Sequence, residues 1–389
     1  MTKARRTIYL AAAAAAAAAA LTATFVLPGG ATAAATTATK ATATGSSAPT
    51  VTVQVVATGL NVPRGLVYDR AQNRLLIAEA GVASGDTGPC GGGGYTTLCY
   101  GGTGSVYSYS LSPNGKSGRI ITGLPSFSNS AQNFVDGLEA LSLYHGQLTG
   151  VFALNGTPTT RAAMGPAAAD LGQAVVFGPG GRMTAIADIA TEETSLYGSA
   201  AASDPWGLTS GAFGTLVADA AGYPPAGSLY GGNDVLWANH GNLTQLVAFP
   251  VRTFDGNSVD SAPATVVQGP DGAFYVGELT SYPYYAGAAD VWRVVPGQKP
   301  TVYASGLSKI IDIAFDPQGR LLVLETGGRL APTALVRVNR DGTQTVLLNQ
   351  TQLNDPCGIV AVNDHTYYIT NDGGGVGGDG QLLKVTVSD

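Results

Sequence analysis

Six polar residues occupy one position of a recurring sequence pattern, each at the end of a short apolar run. Four are carboxylates and two are amides: Glu79, Asn155, Asp219, Glu278, Glu325 and Asn371. Ca²⁺ and Mg²⁺ prefer oxygen ligands of this kind, so a ring of them predicts a divalent cation site. Four carboxylates without a counter-ion would repel one another, which supports that prediction. The alternative is that each side chain caps backbone N–H groups of a nearby loop.

A second set of residues with binding chemistry lies near the same position of the repeats. The residues predicted to bind a ligand are Arg64, Trp206, Tyr282, Tyr284 and Tyr285. Exposed rings would form a platform for an aromatic or sugar-like ligand, and Arg64 would pair with an anionic group. The alternative is that most of these rings cover the tops of neighbouring sheets.

Several classes of catalytic chemistry lack their sequence signals. The chain has no G-x-S-x-G, C-x-x-C, H-E-x-x-H or phosphate-binding glycine motif. Its three histidines, His145, His240 and His365, argue against a histidine-driven triad and a multi-histidine metal centre. We therefore expect neither a nucleotide nor haem, and only Ca²⁺ or Mg²⁺ as a candidate cofactor.

The elements that must position these residues form an internal repeat. In its clearest copy, residues 262–279, two apolar runs flank a Gly-Pro-Asp-Gly turn and predict a β-hairpin. Five other stretches share the pattern, and the spacings between successive copies are 72, 70, 58, 47 and 46 residues. The shortest spacings match the period of propeller blades, about 40–50 residues. The six copies begin at Pro63, Val135, Pro205, Pro263, Ile310 and Pro356. We therefore predict an all-β, six-bladed β-propeller.

The last copy is one strand short of the four that a blade needs. Residues 381–387 supply its final strand, whereas residues 51–57, VTVQVVA, form an unassigned strand before the first hairpin. We expect these two strands to pair and close the ring, because an open edge of unpaired amides invites aggregation.

Extra residues collect after the second strand in the first three copies. These insertions lie near 81–103, 156–169 and 222–234, and shorter ones occupy the same point of the other copies. If the strand order is the same in every blade, all of them emerge on one face. We expect the ligand on this face, over the central channel, because loops on a rigid scaffold commonly build the binding site.

The N-terminal residues resemble an export signal. Basic residues precede an Ala-rich apolar run over 8–27, and Ala-Thr-Ala at 31–33 offers a cleavage site. We assign residues 1–33 to a signal peptide, 34–50 to a disordered Ala/Thr/Ser linker and 51–389 to a single propeller domain. An uncleaved membrane anchor is the alternative for the apolar run.

Charge limits the partners of the exported protein. Removal of residues 1–33 takes away three basic residues, Lys3, Arg5 and Arg6, and no acidic one, so the formal net charge changes from −6 to −9. Nucleic acids and anionic membrane surfaces repel such a protein. We expect a secreted monomer with no nucleic-acid partner and no membrane contact after signal removal.

Cysteine usage fits an oxidising compartment. Cys90 and Cys99 lie in one Gly-rich insertion and are predicted to form a disulfide, which leaves Cys357 reduced. Cys357 should begin an inner strand near the channel. Since no histidine is near it in sequence, we interpret it as a small packed residue.

Several stretches resemble one bacterial family. They are PRGL…AEAG, a Gly-rich loop ending in CYGGTGSV, GPDGAFYVGELTSYPYYAGAADVWRVVPG and IIDIAFDPQGRLLVLE. This order is similar to the ScyD/ScyE family, NHL-repeat-like secreted proteins named after genes of the scytonemin pathway. The resemblance covers the chain from about residue 51 to its end, and it implies a six-bladed propeller of the NHL/SMP-30 type and export.

Two classes of function fit these residues. The first is a secreted binding protein whose insertion-rich face holds a small molecule, a polymer or a protein partner. The second is an exported hydrolase, lactonase or lyase assisted by Ca²⁺ or Mg²⁺ on the carboxylate ring, by analogy to enzymes built on similar propellers. Sparse histidine and the lack of a nucleophile motif favour binding.

Overall fold

The computed structural model describes residues 49–388, except 84–86, 94–95, 130, 132, 221–231 and 328–329. Strands joined by short turns make up most of this part of the chain. In chain order the strands are β1 (Thr50–Leu60), β2 (Pro63–Asp69), β3 (Arg74–Glu79), β4 (Cys90–Gly93), β5 (Thr96–Tyr100), β6 (Gly104–Ser110), β7 (Gly118–Leu124), β8 (Phe127–Asn129), β9 (Phe134–Asp136), β10 (Leu138–Tyr144), β11 (Gln147–Phe152), β12 (Gln173–Phe177), β13 (Met183–Asp188), β14 (Pro205–Gly211), β15 (Gly214–Asp219), β16 (Asp234–Asn239), β17 (Asn242–Ala248), β18 (Arg252–Phe254), β19 (Asn257–Val259), β20 (Pro263–Gln268), β21 (Phe274–Glu278), β22 (Ala289–Val294), β23 (Thr301–Leu307), β24 (Ile310–Phe315), β25 (Leu321–Glu325), β26 (Ala334–Val338), β27 (Gln344–Asn349), β28 (Gly358–Asn363), β29 (Thr366–Asn371) and β30 (Gly380–Ser388).

Six four-stranded antiparallel sheets form the blades of a β-propeller in the described part of the chain. From the inner to the outer strand they are β2-β3-β6-β7, β10-β11-β12-β13, β14-β15-β16-β17, β20-β21-β22-β23, β24-β25-β26-β27 and β28-β29-β30-β1, numbered blades 1 to 6. Each inner strand contacts the inner strands of the two adjacent blades, and β28 of blade 6 contacts β2 of blade 1. The predicted β-propeller is therefore confirmed.

The hairpins follow from the repeat. In the clearest copy, β20 and β21 pair with Val266 opposite Val276, and Gly272 takes a positive φ of 80° in the turn between them. All five residues of β21 are buried. The core lies between neighbouring blades, where apolar side chains of one sheet pack on those of the next.

The N-terminal strand closes the ring as expected. β1 pairs with β30 from Thr50 opposite Ser388 to Leu60 opposite Gly380. Val51 and Val53 pack against the core between blades 5 and 6. The strand is longer than the 51–57 segment predicted from sequence, because its pairing with β30 continues across two irregularities in register.

Insertions follow the second strand, as the repeats predict. In blade 1, β4 and β5 form a further sheet with β8 and β9, and the predicted disulfide joins Cys90 and Cys99 across β4 and β5. The insertion of blade 2 contains α1 (Pro158–Ala163) followed by a 3₁₀ turn at Pro166–Ala168. Most of the 222–234 insertion lies outside the described residues.

Two connections were not expected from sequence. Helix α2 (Ile189–Tyr197) joins blade 2 to blade 3, and the two-stranded sheet of β18 and β19 joins blade 3 to blade 4. A 3₁₀ turn at Pro179–Gly181 joins β12 to β13. No helix within the described ranges has the length and apolar character needed to cross a membrane. The signal peptide over 1–33 falls outside the described residues, as does all but the end of the 34–50 linker.

Candidate functional site

The six repeated polar residues lie at or just beyond the ends of the second strands, one strand away from the channel. In the pairing registers, Glu79 lies opposite Pro63, Asp219 opposite Pro205 and Glu325 opposite Ile310. None of the six is among the described residues that line the channel. Because adjacent strands lie about 4.8 Å apart, these side chains are set back behind the inner strands.

Four of the six bond to the loop that leads into the inner strand of the same blade. Glu79 accepts from the N–H of Asn61 at 2.8 Å, and Glu325 from that of Ser308 at 2.7 Å. Equivalent bonds join the N–H of Asp204 to Asp219 at 2.8 Å and the N–H of Asn354 to Asn371 at 2.9 Å. This is the capping arrangement, in which a buried acceptor satisfies a loop amide.

Glu278 and Asn155 differ from that pattern. Glu278 accepts from the N–H of Asp290 at 2.9 Å and from the indole of Trp292 at 2.6 Å. The backbone N–H of Asn155 donates to Asp204 at 3.1 Å.

Two of the carboxylates also meet an arginine. Arg119 donates to Glu79 at 2.7 and 2.8 Å, and Arg252 pairs with Glu278. Within the described ranges, no group of three or more His, Cys, Asp or Glu side chains is arranged to hold a metal ion. The carboxylate ring thus does not converge on a common point, and the cation predicted there stays a prediction.

Inner-strand residues line the channel instead, and at its mouth each blade contributes the residue at the start of its inner strand. In five blades the strand-pairing register shifts at this position. The residue at or within the shift is Arg64 in blade 1, Glu139 in blade 2, Trp206 in blade 3, Ala264 in blade 4 and Ile311 in blade 5. A β-bulge of this kind re-aims a side chain. In blade 6 the equivalent residue is Cys357, just before β28. All six line a channel of about 330 Å³, which agrees with the expectation that Cys357 lies beside it.

One half of the channel mouth, from blades 1, 2 and 6, is polar. The Arg64 guanidinium pairs with Asp136 and lies 3.2 Å from Glu139 Oε2. Its Nη1 is 3.7 Å from the Sγ of Cys357, which has no disulfide partner. Since two carboxylates already meet Arg64, its predicted pairing with an anionic ligand would compete with them; that pairing stays a prediction.

Burial raises the pKa of the carboxyl and thiol groups in this polar half of the mouth. It raises the pKa of Glu139 to about 7, against the opposing charge of Arg64. It also raises the pKa of Asp136, and it raises that of Asp204 well above its ordinary value, helped by the charges of Asp136 and Asp219. The pKa of the Cys357 thiol is raised by burial as well. Because the pKa of Glu139 lies near neutrality, this carboxyl is poised to exchange a proton.

The other half of the mouth, from blades 3, 4 and 5, is apolar. Trp206 and Ile311 pack against a buried cluster that contains Ala264, Leu279 and Tyr284. The structure thus brings together two of the predicted ligand-binding residues, Trp206 and Tyr284.

The three predicted tyrosines are not among the described residues that line the channel. Tyr284 is covered by the Lys309 ammonium, which lies 4.5 Å from its ring centroid and donates to the carbonyl of Gly327 at 2.8 Å. Burial lowers the pKa of Lys309. Tyr282 is 52% exposed, and Tyr285 packs on Phe254 with 6.4 Å between ring centroids.

Sequence reasoning missed the acidic residues of the channel mouth. In the structure Glu139 occupies the position of Arg64 and Trp206, whereas the aligned copies, with Val135 opposite Pro63, placed Asp136 there. Asp136 is the last residue of β9, and Asp204 lies in the loop just before β14. Asp312, which accepts from Thr265 and from the N–H of Ile359 at 2.8 Å each, bridges three blades inside the channel.

Comparison with known proteins identifies the fold alone. No protein-family model matches the chain, and no curated protein matches it. A gluconolactonase from Xanthomonas campestris is similar with a TM-score of 0.54 and 11% identity over 88% of this chain and 96% of that one. A Bacteroides thetaiotaomicron protein of unknown function gives 0.51 and 11% over 87% and 76%, and a glucose dehydrogenase 0.50 and 15% over 87% and 100%. These similarities agree with the β-propeller read from the strand order.

Proposed function

We propose that this chain is an exported β-propeller of the ScyD/ScyE type that binds a small organic molecule at the channel mouth on its insertion-bearing face. The observation that carries the proposal is the division of the mouth into two halves. Arg64, Glu139 and Cys357 supply hydrogen-bonding groups on one side, and Trp206, Ala264 and Ile311 supply apolar surface on the other. Small-molecule sites commonly combine a largely apolar lining with a few convergent polar groups.

The chemistry of the two halves limits the kinds of ligand that fit the mouth. An apolar ring or chain would lie against Trp206 and above Ala264, whose methyl group leaves more space than the larger residues at the same position in other blades. A carbonyl or hydroxyl group would face Arg64 and Glu139, where a protonated carboxyl donates and the guanidinium stabilises partial negative charge. A ligand with both features fits better than a uniformly charged polymer.

Trp206 provides the test, because it is the tryptophan that lines the channel. The mature protein is screened by thermal shift against sugar lactones, aromatic carboxylic acids and indoles. A compound that raises the melting temperature should quench the fluorescence of the wild type and of Trp237→Phe, and quench that of Trp206→Phe far less. Trp237 is the matched control, since its indole donates to Phe213 at 2.8 Å and does not line the channel.

Two results would contradict the proposal. Equal quenching in Trp206→Phe and the wild type would place the ligand elsewhere. A panel in which no compound shifts the melting temperature would argue against a small-molecule site.

A hydrolase, lactonase or lyase is the second candidate, and the proximity of Glu139 to Arg64 favours it. A carboxyl group that titrates near neutral pH beside a fixed cation can move a proton while the cation stabilises a developing oxyanion. Glu139→Gln should then abolish turnover of a hydrolysed lactone while binding persists. In the Ca²⁺- or Mg²⁺-assisted form, turnover would also stop on chelation; unchanged turnover in EDTA would leave only the metal-free form.

A further inference from the structure

The channel mouth contains one buried cation and three buried carboxyl groups. Arg64 comes from blade 1, Asp136 and Glu139 from the start of blade 2, and Asp204 from the start of blade 3. Their side chains are almost entirely withdrawn from solvent, with 14% of Arg64, 12% of Asp136 and 4% of Glu139 exposed. Ionised carboxylates buried in this way are costly unless a positive charge is in contact with them.

Three oxygens converge on the Arg64 guanidinium. Nη2 donates to the carbonyl of Val135 at 3.0 Å and to Asp136 Oδ1, and Nε lies 3.2 Å from Glu139 Oε2. Burial alone would lower the pKa of Arg64, but the charges of Glu139 and Asp136 outweigh it and raise the pKa. The arginine is therefore permanently charged. Two carboxylates and one backbone carbonyl are also the oxygen ligands from which cation sites are built.

We propose that the Arg64 guanidinium is the resident counter-ion of the channel and occupies the place that a divalent cation would otherwise take among Val135, Asp136 and Glu139. The Val135 carbonyl and Asp136 already accept from Nη2, and Glu139 Oε2 forms an ion pair with Nε. A metal ion would have to approach a full positive charge within a few ångströms in a poorly solvated site, where that repulsion is strong.

The positive charge of the channel mouth is then supplied by the Arg64 side chain and not by a bound metal ion. Among the described residues, the hydrogen-bond partner of Nη1 is the Cys357 thiol, at the long distance of 3.7 Å, so it is the nitrogen available to a ligand oxygen from the channel. Ligand binding at the mouth should therefore not depend on divalent ions.

The test removes the guanidinium and asks whether a metal ion replaces it. Arg64→Met keeps an unbranched apolar stem and deletes the guanidinium with its charge. Titration calorimetry with Ca²⁺, and electron paramagnetic resonance with Mn²⁺, should show one ion bound per chain of the variant at least tenfold more tightly than by the wild type. Adding Glu139→Gln to Arg64→Met should abolish that gain.

Arg119→Met is the matched control. Arg119 also pairs with a buried carboxylate, Glu79, but with that one alone, so its loss should create no ion site. Arg64→Lys, which retains a positive charge, should also bind no ion.

Thermal melting provides a second test that can be used even if Arg64→Met folds poorly. Its melting temperature in 10 mM CaCl₂ should exceed that in EDTA, whereas the wild type should melt at the same temperature in both. The proposal is overturned if Arg64→Met neither binds an ion nor is rescued by one. It is equally overturned if the wild type binds a divalent ion that Asp136→Asn abolishes.

Discussion

A buried acceptor at the end of the second strand has the same structural task in four of the six blades. Glu79, Asp219, Glu325 and Asn371 each accept from the backbone N–H of a residue in the loop before their own inner strand. A repeated position with a repeated contact is expected in a repeat protein. That two of the six repeated residues are amides fits a cap, since an amide oxygen accepts a hydrogen bond as a carboxylate does.

Glu325 allows a test of capping at the residue scale. Burial raises its pKa to about 7, against the opposing bond from Ser308. A carboxyl whose folded pKa is raised binds its proton more tightly in the folded state, so stability falls as pH rises from about 4.5 to about 7. Glu325→Gln keeps an acceptor for Ser308 and cannot ionise. We expect the free energy of unfolding to fall less between pH 5 and pH 8 in the variant than in the wild type, by about 1–3 kcal/mol.

Urea denaturation at the two pH values measures this difference. Glu325→Ala, which has no acceptor, should be destabilised by about 1–3 kcal/mol at pH 5 because the Ser308 amide is left unpaired. If the wild type and Glu325→Gln show the same dependence on pH, Glu325 is not a buried cap with a raised pKa.

At the scale of elements, the sequence predicted the strands and turns of the repeated hairpins. It did not predict elements whose structure depends on tertiary contacts. The turn at Gly-Pro-Asp-Gly and the apolar runs around it were sufficient for β20 and β21. Helix α2 was missed because IATEETSLY has no amphipathic periodicity; Asp188 caps its first turn through Thr191, and Glu193 is buried against the N–H of Gly232.

The channel site could be predicted only in part for a similar reason. Arg64 and Trp206 were recognised by residue type at the start of an inner strand. The bulge that turns this position into the channel is a property of strand pairing, and it cannot be read from one strand alone. The repeat likewise showed that the members of the carboxylate ring are equivalent, but not that they lie one strand behind the channel.

Ring closure by β1 gives a prediction at the same scale. Deleting residues 1–57 removes most of the strand that pairs with β30, together with Val51 and Val53 of the core between blades 5 and 6. Loss of two partly buried valines alone should reduce the free energy of unfolding by about 3 kcal/mol, and the free edge of β30 should promote aggregation. Melting temperature and soluble yield measure both effects.

Deletion of residues 1–49 is the matched control, because it retains β1 from Thr50 onward. It should leave stability unchanged. Equal melting temperatures for the two truncations would show that β1 does not close the ring.

At the scale of the whole molecule, the residues that stabilise the propeller differ from those at its candidate binding site. The blades bury their apolar residues between one another, so the channel-facing residue of each inner strand can vary from Arg64 to Ala264 without loss of the fold. Insertions such as the disulfide-linked sheet of β4 and β5 follow the ends of the second strands. The hairpin turns at the other ends of these strands are short, as at Gly272, and offer little surface for a ligand.

Export from the cell is also a prediction about the whole molecule. A disulfide between Cys90 and Cys99 is typical of proteins that fold in an oxidising compartment. We expect N-terminal sequencing of protein from the culture medium to begin after Ala33, with Cys357 alone alkylated before reduction. Protein that stays in the cell with residues 1–33 attached would contradict the export signal.

Hydrogen–deuterium exchange tests the central claim most directly, because it reports where on the propeller a ligand binds. The mature protein is compared with and without a saturating concentration of a compound from the fluorescence screen. We expect slower exchange of the backbone amides at the starts of the inner strands, around Arg64, Glu139, Trp206 and Cys357, with little change in the turns around His145 and Gly272. Protection confined to those turns, on the opposite face, would contradict a ligand site at the channel mouth.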